Sequence, residues 1–388
     1  MRTMNWRRTL GGLLIAGLVI GGLSRDRTPA TAKARPQPRM EIVFVVDTTG
    51  SMSSLIEGAK RKVWSIVNEV LNGKPRPEVR IGLIAYRDRS DAYVTRITPL
   101  TDDLDALYGD LMGFAAKGGG DTPESVNQAL NEAVTKIKWT PGEEVLKIVF
   151  LVGDAPPHMD YPNDVKHPET TALAVRRNIL INTVQCGNLA GTREVWQAIA
   201  RSAEGRYAAI PADGGSVAVS TPFDGALAEA NKKLVGSAQF YGDKAAQSKA
   251  EKKLKYSADA VAAPAGAAGT ALRREVRANQ ASVRGKAGRL SKDDFLDALR
   301  DGRVKLEEVP EKELPDELQK APAKQRPALV RKLSARRQKL LKRIRKLSRK
   351  REAFLARQRR KQPQSRDSFD EQVLAQIRAQ AKRVGVKY

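Results

Sequence analysis

Two apolar runs dominate the pattern, residues 43–46 and 145–152, the second broken only by Lys147; the first ends in Asp47 and the second leads through Gly153 to Asp154. A run with no polar alternation belongs to a strand buried on both faces, as in a parallel sheet flanked by helices. Around them the period switches between strand and helix. Residues 55–71 place Leu55, Ile56, Val63, Ile66, Val67, Val70 and Leu71 on one helical face. Strands are predicted at 79–86 and, as an edge strand, at 93–100. Helices are predicted at 104–114 and 126–137. After Asp154 come a helix near 170–177, a strand over 179–186, a helix over 193–203, a short strand at 207–210 and a closing helix over 223–234. This alternation predicts an α/β fold over residues 41–236, a doubly wound, mostly parallel sheet covered on both faces.

Past residue 236 the character changes to a basic, largely α-helical C-terminal extension. Residues 237–320 read as a low-complexity linker with short helices, rich in Ala, Lys, Gly and Ser over 237–289 and acidic over 307–320. Ser291 to Asp294 has the pattern of a capping box opening a short helix. Over residues 321–364, Val330, Leu333, Arg337, Leu340, Ile344, Leu347, Arg351 and Phe354 step three and four apart, a heptad seam. Residues 365–388 hold an amphipathic helix begun by Ser368 and Glu371, with Phe369, Val373, Leu374, Ile377 and Ala381 on one side and Gly385 as its stop. Such a helix needs a surface to cover.

The candidate chemistry sits where the apolar runs end. Asp47, Thr49 and Ser51 offer three hard oxygen donors two residues apart, with Gly50 freeing the turn between them. The glycine-rich loop at 118–120 leads to Thr122, and the second run leads to Asp154. In an open parallel sheet, ligands gather beyond the carboxyl ends of the strands, which is where these five residues would meet. Each motif alone is also what a helix N-cap would use. Together they suit a hard divalent ion, Mg²⁺, Ca²⁺ or Mn²⁺.

The ordered set Asp47-x-Thr49-x-Ser51, Thr122 in Gly-Gly-Asp-Thr-Pro-Glu, and Asp154 in Gly-Asp-Ala-Pro-Pro-His resembles a complete metal-ion-dependent adhesion site of a von Willebrand factor A domain. The resemblance covers roughly residues 41–236. It implies a Rossmann-like doubly wound sheet whose ion is held directly by Ser51, Thr49 and Thr122, with Asp47 and Asp154 acting mostly through water. It further implies that a partner's Asp or Glu fills the remaining coordination position. Thr49 stands where many relatives have Ser, which keeps the hydroxyl.

Binding is the expected activity, because neutral hydroxyl ligands leave most of the ion's charge available to an incoming carboxylate. His158, four residues past Asp154, is the one candidate for polarising a water, and metal-dependent hydrolysis is the enzymatic alternative. A polar loop residue is the plainer account of it.

Charge divides the chain. Residues 41–236 hold 21 Lys and Arg against 25 Asp and Glu, whereas residues 237–388 hold 40 against 18, so the net charge of +25 belongs to the flanks. Its densest part is the run Arg331, Lys332, Arg336, Arg337, Lys339, Lys342, Arg343, Arg345, Lys346, Arg349, Lys350, Arg351, Arg357, Arg359, Arg360 and Lys361, a candidate polyanion-binding surface. Phe354 is the only aromatic among them, which argues for anionic surfaces or envelope polymers over nucleic acid. Like charges along the seam also argue against a parallel self-dimer, so the seam is expected to pack against another helix of this chain or an acidic partner.

The start of the chain reads as an export signal: Arg2, Arg7 and Arg8 precede an apolar and glycine stretch from Leu10 to Leu23, with Ala32-Lys33-Ala34 offering a cleavage site. Residues 1–34 are thus read as signal peptide or retained signal anchor and 35–40 as linker. The expected location is outside the cytoplasm, in periplasm, on the cell surface or beyond it. The single cysteine, Cys186, allows no internal disulfide and suits buried packing.

Overall fold

The computed structural model describes residues 37–210, 220–259, 266–361 and 369–388, and residues 37–388 pack as one compact unit. The export-signal expectation, on residues 1–34, lies outside the described residues. Among the described residues, no helix is long and apolar enough to cross a membrane.

The strands are β1 (Arg39–Asp47), β2 (Glu78–Tyr86), β3 (Thr95–Thr101), β4 (Val145–Gly153), β5 (Ile179–Cys186) and β6 (Tyr207–Ile210). They form one sheet in the order β3-β2-β1-β4-β5-β6, parallel except for the antiparallel edge strand β3. The helices are α1 (Ile56–Val70), α2 (Leu104–Met112), α3 (Val126–Thr135), α4 (His167–Arg176), α5 (Thr192–Ser202), α6 (Asp224–Val235), α7 (Lys244–Asp259), α8 (Gly266–Ala287), α9 (Phe295–Arg300), α10 (Asp316–Gln319), α11 (Arg326–Lys361) and α12 (Phe369–Ala381).

The central strand shows why the apolar runs carry no alternation. Met40, Ile42, Phe44 and Val46 of β1 face α1 and α2, whereas Val43 and Val45 face α3 and α5, so both sides of the strand are core. Phe44 stacks on Phe150 of β4 with ring centroids 5.4 Å apart. Cys186 is buried in β5, as expected. The order reverses between β1 and β4, and Asp47 and Asp154 lie at the carboxyl ends of those two neighbours. That is the crevice in which open α/β sheets bind ligands.

The C-terminal region is not a separate extension. Residues 237–320, read as a linker with short helices, hold the longer helices α7, of 16 residues, and most prominently α8, of 22. The heptad seam packs within the chain, as Leu341 and Ile344 of α11 join Leu227, Ala230 and Leu234 of α6 and Ala278 and Ala281 of α8. Gly285 permits the close approach of α8 to α11, since a Cβ there would lie 2.6 Å from Ile344 Cγ2. The amphipathic helix α12 finds its surface on the sheet domain itself: Val373, Ile377 and Ala381 enter the core beside α1, and Asn182 and Gln380 exchange amide hydrogen bonds of 3.0 Å. The short helix α9 begins three residues later than the Ser291 pattern suggests. Asp294 is its cap, accepting from the Asp297 backbone N–H at 3.0 Å.

Two of the proposed polyanion-binding arginines are corrected by this packing. Arg337, 1% exposed, donates to Asp294 Oδ1 at 2.5 Å and also to Ser237, and Arg351 pairs with Asp224 at 2.6 Å. Both sit on the seam, where a buried cation is tolerated only against a buried carboxylate. The other basic residues from Arg331 to Arg357 are exposed along the outer side of α11, while the side chains of Arg359, Arg360 and Lys361 lie outside the described residues.

Candidate metal site

Strand β1 delivers Asp47 fully buried, and the chain then turns tightly through Thr48 to Ser51. Asp47 Oδ1 accepts from the Thr49 backbone N–H at 2.9 Å and from Thr49 Oγ1–H at 2.6 Å. Ser51 Oγ–H donates to Asp154 Oδ1 at 3.0 Å, joining the ends of β1 and β4. The two hydroxyl oxygens lie 3.1 Å apart. Each hydroxyl has one proton, and both protons are committed to carboxylates, so the pair turns lone pairs toward a shared point with no donor of its own to fill it.

The turn is held by its neighbours. Gly50 N–H donates to Gly118 O at 2.9 Å, and a Cβ on Gly50 would lie 2.6 Å from that oxygen. Arg87 donates from Nε to Thr48 O at 3.1 Å and from Nη2 to Ala115 O at 3.0 Å, pinning the strand-end loop to the segment before the glycines. Gly153 leaves room for Asp47, since a Cβ there would approach Asp47 Cβ to 2.8 Å.

Thr122 follows the glycine loop, whose Gly119 lies against Thr49. Thr122 is exposed, and no hydrogen bond joins it to the other four residues among the described residues. The Thr-Pro pair reads as a helix start, but α3 begins at Val126 with Ser125 as its N-cap, which leaves residues 121–124 as loop. The residue that turns inward is Glu124, 2% exposed, beside Thr49. A Cβ on Gly119 would lie 3.5 Å from both Glu124 Oε1 and Thr49 Cβ. In sequence, a Glu just before a helix is the ordinary complement to the helix dipole, so nothing marks this one as a site residue.

The electrostatics follow from crowding acids in a buried place. Burial raises the Asp47 carboxyl well above its usual range, and the charge of Asp154 raises it further; burial likewise raises Asp154. Glu124 is pushed up to about 9, first by burial and then by the charges of Asp47 and Asp88. Asp47 Oδ2 and Glu124 Oε2 are buried without a hydrogen-bond partner. Buried acceptors with no donor, beside hydroxyls whose protons are engaged, fit a hard cation. Asp47, Thr49, Ser51, Asp154 and Glu124 are the residues that would hold it.

The family comparison agrees with this architecture. Residues 41–222 match the family model described as von Willebrand factor A domain. An ariadne-like RING finger protein of Acanthamoeba polyphaga mimivirus is 34% identical over 128 residues, 31% of this chain and 12% of that protein. The von Willebrand factor A domain-containing protein 7 of Rattus norvegicus is 35% identical over 147 residues, 37% of this chain and 14% of its own. The match thus spans about an eighth of the length of these curated relatives. Among solved structures, an aerotolerance-related membrane protein of Bacteroides fragilis aligns with 15% identity and a TM-score of 0.33 over 45% of this chain and 93% of that one. From the doubly wound sheet with its strand-end acids to the family match over the same residues, the conclusion is that residues 41–222 are a von Willebrand factor A domain.

Proposed function

We infer that this protein is a divalent-cation-dependent binding protein, not an enzyme, whose A domain captures an acidic side chain of a protein partner at a metal-ion-dependent adhesion site. The observation that carries the reading is the pair of hydroxyl oxygens of Thr49 and Ser51, 3.1 Å apart at the mouth of the crevice, each backed by a buried carboxylate. A bound Mg²⁺, or Ca²⁺ or Mn²⁺, would supply an electrophilic centre for the guest's carboxylate. The protein's part is to hold Thr49 and Ser51 in place through Asp47 and Asp154. Ser51 is exposed, so a guest reaches the site from solvent.

The exposed basic side of α11 supports a second element of the reading, docking on an anionic surface or polymer. Lys342, Lys346 and Lys350 stand one helical turn apart and exposed, an arrangement that suits phosphate or carboxylate arrays. An exported location fits the acidic polymers of an envelope.

The test is selection of a random-peptide display library on the immobilised full chain in Mg²⁺. The expected result is peptides enriched in Asp or Glu that dissociate in EDTA and fail to bind Asp47→Ala. That variant should keep its circular dichroism, because Asp47 lies past the apolar contacts of β1 and its removal relieves a buried carboxylate crowded against Asp154. Peptides retained equally in EDTA, or by Asp47→Ala, would overturn the reading.

A further inference from the structure

Beside the Thr49–Ser51 cluster lies a second group of side chains that the proposed binding function does not use. We propose that Asp88, Asp121 and His158 form a separate site for a borderline transition ion of the Zn²⁺ class. The three come from three loops at the same sheet edge: Asp88 just past β2, Asp121 in the glycine-rich loop and His158 in the loop after β4. Their ligand atoms lie within 4.8 Å of one another.

His158 carries the argument. It is 4% exposed, and its Nε2 is buried without a hydrogen-bond partner. That nitrogen is aimed between two carboxylates, 3.7 Å from Asp88 Oδ2 and 3.6 Å from Asp121 Oδ2. Both separations are too long for a hydrogen bond. They are close to ligand spacing: four donors about 2.1 Å from a tetrahedral ion stand about 3.4 Å apart. A shift of a few tenths of an ångström by Asp121, whose side chain is 60% exposed, would close the difference.

The surroundings are those of a supported ligand set. Nδ1 of His158 meets Asp160 Oδ1 at 2.8 Å. With the ring proton on Nδ1, the lone pair is on Nε2, facing the two aspartates. A carboxylate behind a histidine in this way fixes the tautomer and orientation of a metal ligand. Asp88 is fixed too, accepting from Ser125 Oγ–H at 2.7 Å and Tyr161 O–H at 2.6 Å. Tyr161 also stacks on the His158 ring, with centroids 4.0 Å apart. The His158 backbone is tied on both sides, its N–H to Glu124 O at 3.0 Å and its C=O to Asn127 Nδ2–H at 2.6 Å.

One imidazole and two carboxylates favour Zn²⁺ over Mg²⁺, because nitrogen ligation suits a borderline ion and leaves a fourth position open toward Asp121 and solvent. The neighbouring cluster, all oxygen, has the opposite preference. The chain would then discriminate two ions a short distance apart.

The test uses the dialysed full chain in excess Mg²⁺, titrated with Zn²⁺ alone by calorimetry and with Co²⁺ alone by visible absorption. Wild type should take up one Zn²⁺ per chain and give the d–d bands of a low-symmetry Co²⁺ site. His158→Ala and Asp121→Asn should each weaken Zn²⁺ at least tenfold and abolish those bands; Asp121 is exposed, so its variant tests the site even if His158→Ala does not fold. Asp160→Asn should weaken Zn²⁺ about tenfold, the usual effect of losing such a support. Ser51→Ala should leave Zn²⁺ binding unchanged, so failure of this site and failure of the adhesion-site reading are separable. No Zn²⁺ uptake by wild type, or equal uptake by His158→Ala and Asp121→Asn, would overturn the proposal.

Discussion

Replacing Glu124 by Gln should make the metal-free protein more stable at neutral pH while weakening its hold on a divalent ion. The reasoning starts from a carboxyl that is buried beside Thr49, faces Asp47, Asp88 and Asp154, and is pushed up from 4.5 to about 9. A pKa raised on folding contributes stability that is fully present below the unfolded value and is lost as pH rises through the folded one. The relevant window is therefore pH 4.5 to about 9. Each unit within it corresponds to about 1.4 kcal/mol, so at pH 7 the wild-type chain has given up about 3 kcal/mol relative to a permanently neutral side chain. Screening by water at the open loop side lowers this toward about 2 kcal/mol.

Gln keeps the shape and removes the charge. Urea unfolding in EDTA should show wild type and Glu124→Gln equal near pH 4.5, and the variant ahead by about 2 to 3 kcal/mol at pH 7, with the gap widening at pH 8. Saturating Mg²⁺ should shrink or reverse the gap, because an ion that binds only the folded chain stabilises it in proportion to its affinity, and the charged carboxylate supports that affinity. A variant no more stable than wild type at pH 8 in EDTA would refute the placement of Glu124 among these acids.

Two further outcomes follow from the C-terminal region. Arg337→Ala should cost about 3 to 5 kcal/mol in urea unfolding, because it strands the buried Asp294 carboxylate without its cation; a loss under about 1 kcal/mol would contradict the buried pair. Reversing the exposed Lys342, Lys346 and Lys350 to Glu should weaken binding to phosphatidylglycerol vesicles, and the wild-type affinity should fall steeply between about 50 and 200 mM salt. Vesicle binding indifferent to both changes would remove the electrostatic role of α11.

The α/β alternation was legible because period and burial are coupled: a strand flanked by helices on both faces is mostly apolar with no strict alternation, whereas a covering helix is apolar on one side only. Strand bounds such as Ile179–Cys186 and Tyr207–Ile210 coincide with the pattern. Asp47, Thr49, Ser51 and Asp154 were legible for a related reason, as polar groups at the end of a buried run have few other places to go. The burial of Glu124 was not, since it depends on where α3 starts, and that start is fixed by contacts from distant segments such as the Glu124 N–H bond to Pro156 O at 3.0 Å. Of the cluster Asp88, Asp121 and His158, only His158 stood out in the sequence, and nothing there joined it to two aspartates that only the sheet brings to it.

The sequence by itself determined the doubly wound architecture, the four oxygen donors at two strand ends and the basic, heptad-patterned helix, because each is written in local periodicity or in a short motif. Only the tertiary structure decided that α12 completes the sheet domain's core, that Arg337 and Arg351 serve buried carboxylates rather than outside anions, and that Glu124 turns in beside Thr49. Those outcomes rest on pairings between segments tens to hundreds of residues apart, and a pattern read along one segment carries no record of what that segment will touch.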